Sequence, residues 1–304
     1  MIGDNYGGAV NTGDGGTASV GFSAPFGVQN ITYLPAPASA QDAGQPSGPR
    51  ADIGILTVLS VEMRAMVEVL RRHAGYRTEV LPDGSRAHEA QLGPPGQQVA
   101  VATIQALAPG EHSAAAGYRR LRERYRPSVL LLVGIAGGIH PDVAIGDVVI
   151  GTQVIYYDAR KETPTGTKHR GETKPAAAEL RNRLNDFLLG GPDIAVGPGA
   201  TVRVHCGPIG SGDAVIAYAD AEQRRYLADF NDKTLAVETE AAGFGQAVYE
   251  DVNRDGTLRG WLTVRGISDL ADAHKHDGGH ELAARNAAAV VERLVPYLAV
   301  PRPS

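Results

Sequence analysis

Residues 129–134 read VLLLVG, an apolar run without polar alternation in a chain of 304 residues. Such a strand has to be covered on both faces, because neither face offers a polar set to water. It therefore belongs in the middle of a sheet flanked by helices, and the rest of the chain supplies that setting. Residues 52–59 (DIGILTVL), 98–107 (QVAVATIQAL), 147–158 (DVVIGTQVIYYD), 201–210 (TVRVHCGPIG) and 261–269 (WLTVRGISD) are further apolar or β-branched runs that predict strands. Helical patterns separate them. Met63, Met66, Val67 and Leu70 recur at helical spacing behind Ser60, a candidate N-cap. Residues 111–125 predict a second helix, stopped by Pro127. Residues 213–230 predict a mostly helical segment, and 235–250 a helix with Val237, Ala241, Phe244 and Val248 on one face. Residues 281–298 predict a closing helix with a stripe of Ala283, Ala287, Val290 and Leu294. This alternation predicts an α/β fold, a three-layer α-β-α sandwich around a mixed, largely parallel sheet. In such sheets ligands bind beyond the carboxyl ends of the strands.

Residues 1–50 differ in kind. They are rich in Gly, Asn, Asp and Thr, carry a loose echo (GDNYGG and GDGGTA), and end in the Pro/Ala/Ser-rich APASAQDAGQPSGPR. The expected division is a flexible, low-complexity tail and linker over 1–50 and a globular domain over 51–304. The tail reads either as a disordered segment or as a small glycine-rich element that self-associates or docks a partner. A net charge of −5 argues against a nucleic-acid partner. Cys206 is the single cysteine, so an intrachain disulfide and a multi-cysteine zinc site are excluded, and a cytoplasmic location is expected. No basic start with an apolar run marks a signal peptide, and no apolar stretch reaches membrane-spanning length.

Chemistry is suggested by acids at predicted strand ends. Glu62 follows the first strand, Glu240 lies in the predicted helix starting near Val237, and Asp269 follows the strand at 261–268. Any one of them alone also reads as a solvated charge or a helix-start carboxylate. Glu238 and Glu240, however, sit in an alanine-rich apolar stretch, and Asp269 is flanked by Ile267, Leu270 and Ala271. A carboxylate buried there is costly unless paired or functional. Three carboxylates around one pocket suit cleavage of an N-glycosidic bond. The purine leaves poorly as an anion and needs a proton, the sugar becomes cationic, and a water must be activated.

The motifs IGILTVLSVEM (53–63), VGIAGGI with AIGDVVI (133–150), GPIGSGDAVIA (207–217), AVETEAAGF (236–244) and VRGISDLAD (264–272) occur in one order over most of the globular part. In that order they resemble the nucleoside phosphorylase superfamily, above all the methylthioadenosine/S-adenosylhomocysteine nucleosidases. The resemblance implies that Asp269 protonates purine N7, that Glu240 holds the ribose 2′ and 3′ hydroxyls, and that Glu62 activates the attacking water. It also places Ile135, Ala136 and Gly137 of a glycine loop against the substrate. Val215 and Ile216 would line the base pocket, Glu238 and Thr239 would flank Glu240, and Arg265 and Ser268 would accompany Asp269. It implies a homo-oligomer and no cofactor or metal.

Two departures shape the substrate reading. Family phosphorylases bind phosphate with arginines and a Ser or Thr in the glycine loop. Here Leu131, Leu132 and Ile135 stand in that stretch, and Arg64 reads as a solvated helix residue. Water is therefore the expected nucleophile, with phosphorolysis as the alternative. Val215 replaces the family's usual Phe and Thr239 its Met, which leaves the purine and the 5′ group open. Lys161, Lys168 and Arg170 in one loop and Lys275 in another offer a cationic rim for a 5′-phosphate, or else simple surface charge. Both loops also resemble phosphorylase-like domains of bacterial signalling and defence proteins. The expected substrate is thus an adenine nucleoside or a nucleotide such as ATP, and a nucleotide-sensing module is the rival class. Cys206 reads as a small core residue and His140 as a structural loop histidine. His274, His276 and His280 lack regular metal-ligand geometry.

Overall fold

A computed structural model describes residues 50–251, 257–272 and 277–299, together with four two-residue strands near the N-terminus. The chain divides into two compact units, Met1–Ser47 and Gly48–Ser304. In the first, Ser19–Val20 pairs antiparallel with Ile31–Thr32, and Ser23–Ala24 with Gly27–Val28. The remaining expectations for residues 1–49, and those for Lys275, His274 and His276, lie outside the described residues.

Along the second unit the elements are β1 (Ile53–Thr57), α1 (Ser60–Leu70), β2 (Ala74–Val80), β3 (Arg86–Leu92), β4 (Val99–Gln105), α2 (Glu111–Tyr125) and β5 (Val129–Gly138). There follow β6 (Val148–Tyr156), the hairpin β7 (Arg160–Thr163) and β8 (Gly166–His169), β9 (Glu172–Pro175), α3 (Ala178–Phe187), β10 (Asp193–Gly197) and β11 (Ala200–Ser211). Last come α4 (Glu222–Phe230), β12 (Ala236–Glu238), α5 (Ala241–Asp251), β13 (Gly260–Asp269) and α6 (His280–Leu298). Strands β4, β1, β5 and β13 are parallel neighbours. Antiparallel pairings extend the sheet at β2–β3–β4 and at β6–β9 and β10–β11.

Strand β5 explains the layering. Val129, Leu131 and Val133 pack into one cluster with residues of α1, α3 and α6, whereas Leu130 and Leu132 pack with residues of α2 and α5. Successive side chains of a strand point to opposite faces, so an uninterrupted apolar run feeds two helical layers at once. Ala283, Ala287, Val290 and Leu294 of α6 are all buried, as their spacing predicts.

The sheet also closes on itself, which goes beyond an open sandwich. β5 pairs with β13, β13 with β6, β6 with β11, β11 with β12, and β12 returns to β5. The cause is a length mismatch. β1 accompanies β5 only as far as Leu132, and beyond it the vacated edge is taken up by β12 at Gly137 and Gly138. Residues 133–136 therefore face a fork in which neither neighbour completes the ladder.

Four local expectations are corrected. The glycine stretch at 133–138 is strand and not a loop: Val133–Gly137 pair with β13, with a register shift before Gly137, and Gly138 pairs with Ala236 of β12. Its glycines give room: a Cβ on Gly134 would meet the Arg265 guanidinium and come within 2.5 Å of Glu62 Oε1. Val237 lies in β12, not in a helix, because its backbone pairs with β11 and β5. Helix α5 starts only at Ala241, after Glu240. Residues 213–221 are not helical; the Asp213 N–H donates to Asp158 Oδ2 and the Ala214 carbonyl accepts from Tyr157, so side chains hold this backbone. Ser60 does not cap α1. It is the first helical residue, after Leu59, and the Glu62 carboxylate takes the Val58 and Leu59 N–H groups.

Candidate active site

The three acids that sequence singled out reach one cavity from three distant segments. A cavity of about 240 Å³ is lined by Glu62, Glu240 and Asp269, together with Glu238, Thr239, Ile135, Ala136, Gly137, Val215, Ile216 and Ser268. Each acid is placed by backbone geometry. Glu62, on the first turn of α1, points back into the fork: its Oε2 accepts from Val58 and Leu59 N–H at 2.8 Å, and its Oε1 from the Ile135 N–H at 2.9 Å. The carboxylate thus completes the ladder that neither β1 nor β12 supplies. Glu238, at the end of β12, accepts from the Glu240 and Ala241 N–H groups and so caps α5. Asp269, the last residue of β13, accepts from the Ala271 N–H at 2.9 Å and from the Ser268 hydroxyl at 2.8 Å.

Arg265 does not line the cavity. Its side chain is 1% exposed and lies behind the wall, bonded to Glu238 and, at 3.2 Å, to Glu240, with its Nε on Thr263. Burial opposes its charge, yet Glu238, Glu240 and Glu62 together push its pKa up. Burial raises the Glu62 pKa above the usual carboxylate range, with Arg265 and the backbone N–H groups pulling the other way. Three glutamate carboxyl groups share one guanidinium at the cavity floor, and burial raises the pKa of Glu62 and Glu238 while Arg265 holds them down. Such a floor favours a developing cation over an anion.

Other expectations fare differently. Lys161 and Lys168 face each other in the β7–β8 hairpin and are exposed, as is Arg170; none of them lines the cavity, so the anticipated cationic rim does not form its wall. Arg64 is exposed. Cys206 is exposed on β11, not a core residue, although Val202 and Val204 on the same face of the strand are buried. Val215 is 66% exposed at the cavity mouth, whereas Ile216 is buried. His140 plays a loop role, its Nδ1 accepting from the Asp142 N–H at 3.2 Å.

Seven residues of the cavity wall were not singled out by sequence as site residues: Val58, Leu59, Pro109, Tyr157, Ala214, Val237 and His280. Tyr157 stands just past β6, at a strand end as the acids do, which was the available signal. Its hydroxyl donates to the Ala214 carbonyl at 3.0 Å and so ties down the segment before Ile216. Tyr157→Phe is expected to raise KM about threefold to tenfold while leaving kcat nearly unchanged; a matching fall in kcat in steady-state kinetics would contradict that role. His280 opens α6, and nothing in its local sequence distinguishes it from a surface residue.

Glu111, at the start of α2, adds a titrating group beside the site. Burial first, then Asp213, Glu238, Asp158 and Glu240, push its pKa up to about 7, and its Oε1 is buried without a hydrogen-bond partner. A raised folded-state pKa means stability that is present below the unfolded value and lost as pH climbs from about 4.5 towards 7. Glu111→Gln should therefore melt progressively higher than the parent as pH rises from 5 to about 8, read by thermal denaturation; a pH-independent difference would refute it.

A layered α/β fold with a carboxylate-lined cavity at its strand ends defines a small-molecule site of the kind found at such topological switch points. The chain belongs to the phosphorylase superfamily, whose profile matches residues 52–296. It is similar to the ATP nucleosidase Cap17 of Escherichia coli, 26% identical over 254 residues, with 78% of this chain and 49% of that protein covered. It is also similar to the 5′-methylthioadenosine/S-adenosylhomocysteine nucleosidase of Haemophilus ducreyi, 28% identical over 243 residues, with 79% of this chain and 95% of that one covered. The chain thus spans about half the length of the first relative and nearly all of the second. In fold it resembles the S. pneumoniae methylthioadenosine/S-adenosylhomocysteine nucleosidase bound to a transition-state inhibitor, with a TM-score of 0.63, 21% identity and coverage of 81% of this chain and 99% of that one.

Proposed function

We propose that the protein hydrolyses the N-glycosidic bond of an adenine nucleoside or nucleotide, releasing the free base and a ribose that keeps its 5′ substituent. The observation that carries this reading is the convergence of Glu62, Glu240 and Asp269 on one cavity floored by Arg265-paired carboxylates. Asp269, held by Ser268 and the Ala271 N–H, delivers a proton to purine N7 as the bond breaks. The carboxylates stabilise the oxocarbenium-like sugar. Glu62, raised in pKa by burial and fixed by three N–H groups, takes the proton of the attacking water. Ile216 is the base-reading position and Glu240 the ribose anchor.

Water is favoured over phosphate by charge. The Ile135 N–H is occupied by Glu62, the Arg265 guanidinium is engaged by Glu238 and Glu240, and an entering phosphate would meet carboxyl oxygens instead. A nucleotide is kept beside a nucleoside as substrate because of the likeness to an ATP nucleosidase. A pure sensor has little use for a buried acid on the base side, so catalysis is the stronger reading.

The test incubates the protein with ATP, adenosine, methylthioadenosine and S-adenosylhomocysteine and follows free adenine and the sugar product by chromatography. A ribose with a free anomeric hydroxyl and its 5′ substituent intact supports hydrolysis; the corresponding 1-phosphate appearing only with added phosphate supports phosphorolysis. Tight nucleotide binding without base release would favour the sensor. We also propose a homo-oligomer in the cytoplasm with no nucleic-acid partner. Leu107, 92% exposed two residues before the cavity-lining Pro109, supports a neighbouring subunit at the mouth. Light scattering on the purified chain decides that point.

A further inference from the structure

The Glu240 carboxylate is nearly saturated before any substrate arrives. Its Oε1 accepts from the Gly110 N–H at 3.2 Å and from the Thr239 hydroxyl at 2.5 Å. Its Oε2 accepts from Arg265 Nη2 at 3.2 Å. An ionised carboxylate offers about four lone-pair sites, so with these three partners roughly one remains. Holding a vicinal diol takes two acceptors. Thr239 lines the same cavity beside Glu240. Its one O–H donor is directed at Glu240, which leaves both hydroxyl lone pairs as acceptors. Thr is stiff about χ1, so the oxygen is held in place before binding.

We propose that Thr239 is a second receptor for the ribose diol: Glu240 accepts one sugar hydroxyl and Thr239 Oγ1 accepts the other. This rests on the nucleosidase reading above and deepens it, because it makes the pair a detector of ribose against deoxyribose. The chain runs sugar O–H to Thr239 Oγ1, and Thr239 O–H to Glu240 Oε1. Each member donates once, so the bonds reinforce one another. A Val of the same shape at 239 keeps the wall but leaves that sugar hydroxyl facing a methyl group, unpaired.

The experiment measures adenine release from adenosine, 2′-deoxyadenosine and 3′-deoxyadenosine, and from the matching triphosphates, by the parent, Thr239→Val, Thr239→Ala and Thr239→Ser. On the full ribose substrate, Val and Ala should lower kcat/KM about fivefold to tenfold. On the one deoxy analogue that lacks the hydroxyl Thr239 holds, they should change it less than about twofold, since nothing is left there to lose. Ser should restore the parent's preference. An equal fall on all three sugars would show that Thr239 only orients Glu240, and no fall on any would show that it reads nothing; either overturns the proposal while the nucleosidase reading stands. Absence of adenine release from every substrate with the parent protein would overturn both together.

Discussion

Replacing Asp269 by Asn is expected to slow base release by about a thousandfold or more while leaving the folded structure in place. The side chain ends β13, where one oxygen accepts the Ala271 N–H and the other meets the Ser268 hydroxyl. Asn has the same shape, keeps an acceptor for Ala271, and turns an NH₂ towards a hydroxyl that can accept it. What it lacks is an acidic proton. The purine then has to depart as an anion, and the loss should fall on kcat with KM little changed, because the interaction exists only as the bond breaks. Steady-state kinetics beside a melting curve test this. Full turnover by the Asn variant would remove Asp269 from the chemistry; a collapsed melting curve would make it structural instead.

Arg265→Met is expected to have the other large effect, on stability as much as on rate. The guanidinium is buried with Glu238, Glu240 and Glu62 around it. Breaking a buried ion pair by removing one partner costs about 3–5 kcal/mol, because the remaining charge is stranded. In a domain of this size that is about 6–20 °C in Tm. The sign with pH follows from linkage. Without Arg265 the raised folded-state pKa values of Glu62 and Glu238 rise further, so the variant's stability is retained at low pH and lost as pH rises. The gap in Tm between parent and variant should therefore be wider at pH 8 than at pH 5. A gap of constant size would mean that Arg265 acts through packing alone. Arg265→Lys keeps the charge but not the fork that reaches two carboxylates, so it should fall between the two.

The layered α/β fold was legible where physics is local. The 129–134 run and the α6 stripe mark their own burial, and the acids mark strand ends by position. The site's trio was legible through motif order, because those motifs carry the pieces that must meet. What escaped was set by partners far along the chain. Gly134 looks the same in sequence whether it turns the backbone or clears space for Arg265 and Glu62. Val237 fits a helical stripe with Ala241, Phe244 and Val248, yet β11 and β5 hold it extended. Arg265 could be read as a residue against the substrate; that it instead sits behind the wall depends on three glutamates drawn from two other segments. The closing of five strands into a ring has no local signature at all.

Because the Ile135 amide, the Glu62 carboxylate and the Arg265 guanidinium interlock where β1 and β12 part, there is little freedom to adjust any of them singly. The outer walls are different. Leu59 and Pro109 lie on separate connections between elements and His280 opens α6, so their side chains can be exchanged without disturbing that joint. On the nucleosidase reading, a lineage built this way can change the substrate it accepts by rewriting these walls, while the joint beneath them is handed down intact. Efforts to retarget the protein should begin at those three positions and leave the joint alone.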